Sequence, residues 1–310
     1  MNAHRHARGH SQSYLRQLLT ERGLAPRSSL GQCFLTDLNL LDIFVDTADL
    51  NADDVVLEVG AGTGSLTLRM ASRARSVVSV EIDNGLFQLA SESVCGLPNV
   101  TILHADILQK KNALNPEVLA AVDRIAPPEL PVRRKLVANL PYVVATPVIS
   151  LLLLDDRPWD RFLVTIQKEL ADRLLAVPGT KDYGHLSVLS QSLADVELLR
   201  ELPPTVFWPR PKVWSAFVRI TPQPAKRAAI RHLPTFFRFT RGVMLHRRKV
   251  LRVAMSSMLS DVTKSEVDEF LRDISIDPQS RAESMPASEF VRLANNLPRE
   301  WCETETALRT

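Results

Sequence analysis

The chain has 310 residues, 45% of them hydrophobic and 24% charged, enough for two domains with a full core and inconsistent with wholesale disorder. Its three cysteines, Cys33, Cys95 and Cys302, form no CxxC pair, and no apolar run approaches the roughly 20 residues of a membrane span. A disulfide scaffold, a zinc finger, a membrane-spanning protein and a secreted one are therefore not expected, whereas a reducing, cytoplasmic setting is.

In chain order, residues 1–27 read as a flexible basic arm with five Arg and one Glu; His4, His6 and His10 in it have no scaffold for a metal, and no metal site is expected. From 53 onward, strands alternate with helices. Strands are expected at 55–59, 77–81 and 100–103, with helices at 65–74 and 85–94 between them. The proline-rich stretch 112–134 reads as an irregular connection with one helical turn. A fourth strand (136–138), a helix (147–154), a fifth strand (162–166) and a helix (169–177) follow, then β segments near 196–202 and 215–220. Strands alternating with helices imply an α/β fold, a doubly wound Rossmann-like parallel sheet whose last β pair forms an antiparallel edge. Residues 229–302 show helical periodicity only and read as a small all-helical second domain.

Charge is distributed unevenly. Residues 226–252 hold nine Lys or Arg and no acid, interleaved with Phe236, Phe237, Phe239 and Met244. With +4 on the arm and +9 here, a total of +3 leaves −10 on the remainder. That polarity predicts a polyanion docked on one side, nucleic acid first among them.

The first strand runs into Glu58-Val59-Gly60-Ala61-Gly62-Thr63-Gly64-Ser65. Glycines permit the sharp turn and the close backbone approach of a ligand-binding loop beneath a helix start. A dinucleotide fingerprint needs GxGxxG, whereas this loop is GxGxG, with Ser65 in place of the last glycine, a form suited to S-adenosylmethionine. Glu81 closes the second strand, where a carboxylate accepts both ribose hydroxyls, and Asp106 follows the third, within reach of an adenine amine. All three stand at the carboxyl ends of adjacent strands, the edge at which open α/β sheets bind ligands.

The fourth strand leads into Asn139-Leu140-Pro141-Tyr142, similar to the (Asp/Asn)-Pro-Pro-Tyr motif of enzymes that methylate exocyclic base amines. Such an amine delocalises its lone pair into the ring and is a poor nucleophile. The Asn139 side-chain carbonyl and a main-chain carbonyl at Leu140 or Pro141 can accept its two hydrogens and aim the lone pair outward, while Tyr142 offers a face to the base. Positioning then carries most of the rate gain, and no strong general base is needed.

Further segments are Leu30-Gly31-Gln32-Cys33-Phe34-Leu35, Val80-Glu81-Ile82-Asp83, Gln167-Lys168-Glu169, Tyr183-Gly184-His185-Leu186-Ser187-Val188, Pro209-Arg210-Pro211-Lys212-Val213, Arg247-Arg248-Lys249 and Ile276-Asp277-Pro278. In this combination and order, from about 29 to 297, the chain resembles the KsgA-type ribosomal RNA adenine dimethyltransferases. The resemblance implies an S-adenosylmethionine-dependent enzyme that dimethylates N6 of two adjacent adenosines near the 3′ end of small-subunit (16S) rRNA in immature 30S subunits; the sequence requires no protein partner, so a cytoplasmic monomer is expected. It implies cofactor contacts at Cys33, Leu35, Gly60, Gly62, Glu81, Asp106 and Asn139, and a catalytic set of Asn139, Leu140, Pro141 and Tyr142. Arg238, Arg241, Arg247, Arg248, Lys249 and Arg252 would contact RNA phosphates. The expected division is an arm (1–27), a methyltransferase domain (28–224) and a helical RNA-binding domain (225–310). Two positions depart from the family pattern: Cys33 replaces Asn or His, and Val143 replaces a polar residue after the tetrapeptide. The competing readings are a large-subunit (Erm-like) rRNA adenine methyltransferase and a non-catalytic RNA-binding assembly or transcription factor.

Overall fold

The run from Asp54 to Val59 is buried at all six positions, as a strand covered on both faces of a parallel sheet must be. A computed structural model of the chain describes residues 12–127, 130–259 and 262–301. It begins with α1 (Gln12–Glu21), β1 (Phe34–Leu35), α2 (Leu38–Thr47), β2 (Asp54–Val59), α3 (Ser65–Ala71), β3 (Ser76–Glu81), α4 (Asn84–Ser93) and β4 (Val100–His104). Then come β5 (Leu108–Lys110), β6 (Ala113–Leu114), α5 (Pro116–Ile125), β7 (Arg133–Asn139), α6 (Ala145–Leu154), β8 (Trp159–Gln167) and α7 (Lys168–Leu175). After α8 (His185–Leu193) follow β9 (Ala194–Leu202), β10 (Phe207–Trp208) and β11 (Ser215–Pro222). The last helices are α9 (Pro224–Ala228), α10 (Leu233–Leu245), α11 (Leu251–Met258), α12 (Lys264–Asp273) and α13 (Ala287–Asn296). None is long and apolar enough to cross a membrane among the described residues.

Seven strands form one sheet in the order β4-β3-β2-β7-β8-β11-β9. The first five run parallel, and β11 lies antiparallel to β8. The expected doubly wound sheet with an antiparallel edge is therefore observed. Its core joins Val56, Val77, Val137, Leu163 and Phe217 to Phe44 and Val45 of α2 and Met70 of α3. Side chains start the helices where backbone N–H groups lack partners: Asp37 accepts from Leu40 N, Asp83 from Gly85 and Leu86 N, and Asn115 from Glu117 N.

Contacts group the chain into two units, residues up to 171 with 197–221, and residues 172–196 with those from 222 on. The first unit corrects two expectations. Residues 12–21 of the supposed flexible arm form α1, whose Leu15 and Leu19 are buried against Leu86 and Leu89; residues 1–11 lie outside the described residues. Arg22 and Arg27, counted there as free charge, pair with Glu92 (2.5 Å) and Asp83 (3.2 Å). Within 112–134, Asn115 caps and Pro116 starts a ten-residue helix that buries Val118, Leu119, Ala121 and Val122, so that stretch is more than one turn.

The second unit is helical. Phe236, Phe239 and Val243 of α10 are buried with Leu251 and Met255 of α11, Leu271 of α12 and Phe290 and Leu293 of α13. The helix α8, not anticipated as an element, packs on α10 and α13 through its buried Val188, Leu189 and Leu193. The stretch 172–196 therefore groups with the helices, although the expected boundary lay at 224.

Candidate active site

The loop after β2 turns because Gly60 and Gly62 adopt left-handed conformations (φ 86° and 59°) closed to most side chains. Gly60 N and Ala61 N both donate to Val80 O, at 2.8 and 3.2 Å, folding the loop back onto β3. A Cβ at Gly60 would meet Pro141 Cγ at 3.0 Å, and one at Gly62 would meet the Phe34 ring at 3.2 Å. The glycines thus let three segments distant in sequence converge.

Beside them lies a cleft of about 180 Å³. Cys33, Gly60, Gly62, Glu81, Asp106, Asn139 and Pro141 all line it. The Glu81 carboxylate accepts from Gly62 N and from Asp83 N, each at 2.9 Å, and burial pushes its pKa up. Asp106, more exposed, accepts from Leu108 N at 2.9 Å. Leu35 lines an adjoining recess with Gly60, Gly62 and Asn139 rather than the cleft itself.

Asn139 ends β7 at the cleft, and its Nδ2 donates to Cys33 O at 2.8 Å. That bond orients the amide and leaves Oδ1 with no donor among the described residues. Leu140 N donates to Thr165 O (3.1 Å), whereas Pro141 O accepts Val144 N (3.0 Å) in a turn. Of the two candidate main-chain carbonyls, Leu140's is the one that accepts no hydrogen bond among the described residues, although Leu140 is buried and, unlike Pro141, does not line the cleft. The Tyr142 hydroxyl lies 2.7 Å from the hydroxyl of fully buried Ser215, the first residue of β11. Tyr142 itself does not line the cleft; burial raises its phenol pKa and keeps it neutral. Cys33 Sγ donates to Pro209 O (3.1 Å), and burial lifts its thiol to about 11.

Two site features had no role in the sequence reading. Glu58, buried in β2, accepts from Thr67 Oγ1 (2.5 Å) and Ser79 Oγ (2.6 Å) on one oxygen, while Oε1 has no hydrogen-bond partner among the described residues. Burial raises it to about 8. Its position directly before Val59-Gly60 was the available signal. Ser215 lay two residues beyond a quoted motif, but nothing local links it to Tyr142, 73 positions earlier.

In the helical unit the six basic residues separate into three groups. Arg247 donates to Tyr183 O and Lys181 O, and Arg252 pairs with Asp268 at 3.2 Å, so both serve their own fold. Arg241, Arg248 and Lys249 are exposed and make no ion pair among the described residues. Arg238 is half-buried, and its Nε has no hydrogen-bond partner among the described residues.

The sequence profile of the family described as ribosomal RNA adenine dimethylase matches residues 23–298. A "Ribosomal RNA small subunit methyltransferase A" of Pediococcus pentosaceus is 38% identical over 284 residues, covering 91% of this chain and 93% of its own. The protein of the same name from Geobacillus thermodenitrificans is 37% identical over 285 residues, covering 91% and 94%. Among solved structures, a dimethyladenosine transferase from Plasmodium falciparum superposes with a TM-score of 0.69 at 19% identity, covering 89% of this chain and 100% of its own. The 23S rRNA methyltransferase ErmE does so with 0.58 at 24%, covering 85% and 99%. These two share the fold, while the full-length sequence matches decide the kinship: the chain belongs to the ribosomal RNA adenine dimethylase family.

Proposed function

We propose that the chain dimethylates N6 of two adjacent adenosines near the 3′ end of small-subunit rRNA, acting as a cytoplasmic monomer on immature 30S subunits. As a member of its family it is a methyltransferase that uses S-adenosylmethionine. The residues present suit that cofactor: a glycine turn packed so closely on Pro141 and Phe34 that a Cβ would displace them, a buried carboxylate at Glu81 that could accept ribose hydroxyls, and a second acid at Asp106, all lining one cleft. When bound, the cofactor supplies an electrophilic methyl group.

The chain's own part is to present the amine. Asn139 Oδ1 and Leu140 O, neither engaged by a donor among the described residues, accept the two N6 hydrogens, and the Asn139–Cys33 bond keeps the amide from flipping. Tyr142, held through Ser215, supplies an aromatic surface for the base. Arg241, Arg248 and Lys249 neutralise phosphates, with Arg238 beside them. Arg247 and Arg252 shape the segment that carries them.

The single observation that carries this reading is the Asn139 amide, oriented by Cys33 O at the wall of the cleft that Gly60 and Glu81 also line. The test is calorimetric binding of S-adenosylmethionine, followed by methyl incorporation into small subunits lacking the modification and mass mapping of the product. N6,N6-dimethyladenosine in small-subunit rRNA is expected. Binding without incorporation would reduce the chain to an RNA-binding factor, and modification of large-subunit rRNA would redirect the substrate.

A further inference from the structure

The loop from Pro209 to Ser215 is pinned at both ends to the candidate active site. At one end Pro209 O accepts the Cys33 thiol at 3.1 Å; at the other Ser215 Oγ meets the Tyr142 hydroxyl at 2.7 Å. Trp214 O also accepts Lys168 N at 2.9 Å, just beyond the end of β8. In register, Ser215 faces Gln167, at the edge of the sheet where Asn139 ends β7 beside Thr165. The loop is thus held at the rim of the cleft by contacts with three separate segments.

What this anchored loop shows to solvent is unusual in composition. Trp214 is 49% exposed and Val213 42%, although burying an indole is strongly favourable. Arg210 and Lys212 are exposed and make no ion pair among the described residues, and 209–214 contains no acid. On the other side of the Tyr142–Ser215 contact, Val143 lines the cleft and is 58% exposed. A half-exposed aromatic that shares a short loop with two cations making no ion pair among the described residues is what a single-stranded nucleic acid stacks on, because every base offers a π-face and every linkage a charge.

We propose that Trp214 is the stacking platform for the nucleobase next to the adenosine being methylated, with Arg210 and Lys212 on that strand's phosphates. Val143 extends the same apolar rim and replaces the polar grip expected there. The proposal rests on the reading of the chain as an rRNA adenine methyltransferase and adds to it a determinant of the flanking nucleotide.

The test uses the full chain and small subunits lacking the modification. W214A is expected to raise KM for subunits between about 5-fold and 150-fold, the factor that losing one base–aromatic stack corresponds to. Its kcat stays within about twofold, its affinity for S-adenosylmethionine and its Tm stay unchanged, and W214F recovers most of the loss. The double variant R210A/K212A flattens the log–log salt dependence of subunit binding by about 1.5, from roughly 0.7–0.9 per phosphate, while W214A leaves that slope intact. An unchanged KM in W214A overturns the proposal. So does a loss that W214F does not recover and that comes with a lower Tm, since Trp214 would then be structural. If the wild-type chain itself transfers no methyl to adenosine, the enzymatic reading fails first; wild-type activity with an indifferent W214A removes this proposal alone.

Discussion

Asp54 and Glu58 stand four residues apart on β2, both essentially inaccessible, and the two ends of the sheet treat them differently. At the entry end Asp54 meets opposite charge: Lys135 Nζ donates to Oδ2 at 2.9 Å, and Arg133 Nε lies 3.0 Å from Oδ1, a charge contact without hydrogen-bond alignment. Lys135 is itself buried and also donates to Asp49 O at 2.6 Å. At the exit end Glu58 accepts from two hydroxyls on one oxygen, and among the described residues its other oxygen has no hydrogen-bond partner. Opposite charge closes the first end. The second keeps an uncompensated acid beside a recess that Gly60 and Asn139 also line. Buried charge is costly unless paired, so an unpaired carboxyl survives by holding its proton. One end of the sheet is built for stability, whereas the other tolerates an unfavourable group beside the proposed cofactor cleft.

The contrast breaks most visibly at Asp54. Asp54→Asn leaves Lys135 buried without its counter-charge, and urea titration should show a loss of about 3–5 kcal/mol, with the folded fraction keeping its kinetic constants. Asn139→Ala is the counterpart at the exit end. Its kcat should fall on the order of 10²- to 10³-fold, or about 2.7–4 kcal/mol, with Tm unmoved, by analogy with losing one preorganised polar group. Near wild-type turnover would mean that the base is held another way.

Glu58 sharpens the comparison through pH. Its pKa rises from the usual 4.5 to about 8 in the fold. Its contribution is therefore complete below about 4.5, declines as pH rises while the unfolded chain ionises and the fold does not, and levels off above about 8. The slope approaches about 1.4 kcal/mol per pH unit in that window. Denaturation series at several pH values should show this component in the wild type and its absence in Glu58→Gln. The smallest effect is expected at Ser215. Ser215→Ala removes the hydroxyl that holds Tyr142 and should cost about 0.5–1.5 kcal/mol in kcat/KM for subunits, roughly 2- to 12-fold. Tyr142→Phe should match it, and the double variant should lose no more than either alone.

Much of this was legible from local order. The β–α alternation, the glycine loop and the strand-end acids Glu81 and Asp106 each follow from residue types at short spacing. Their convergence on one cleft follows from the rule that such strands share a carboxyl edge. The helix α1 and the length of α5 are not legible in this way. In α1 the basic composition masks the apolar face of Leu15 and Leu19, and in α5 the surrounding prolines hide that Pro116 stands at a helix start, so that one turn is expected where ten residues are helical.

By itself, then, the sequence determined the sheet, the loop and the tetrapeptide, because backbone conformation and hydrophobic periodicity act over a few residues. Only the tertiary structure decided which basic side chains stay free, with Arg247 and Arg252 turned to their own fold. It alone set Asn139 against Cys33 O and Tyr142 against Ser215, contacts spanning 106 and 73 positions. Pairings at such separations depend on how whole elements pack, and no local pattern encodes them.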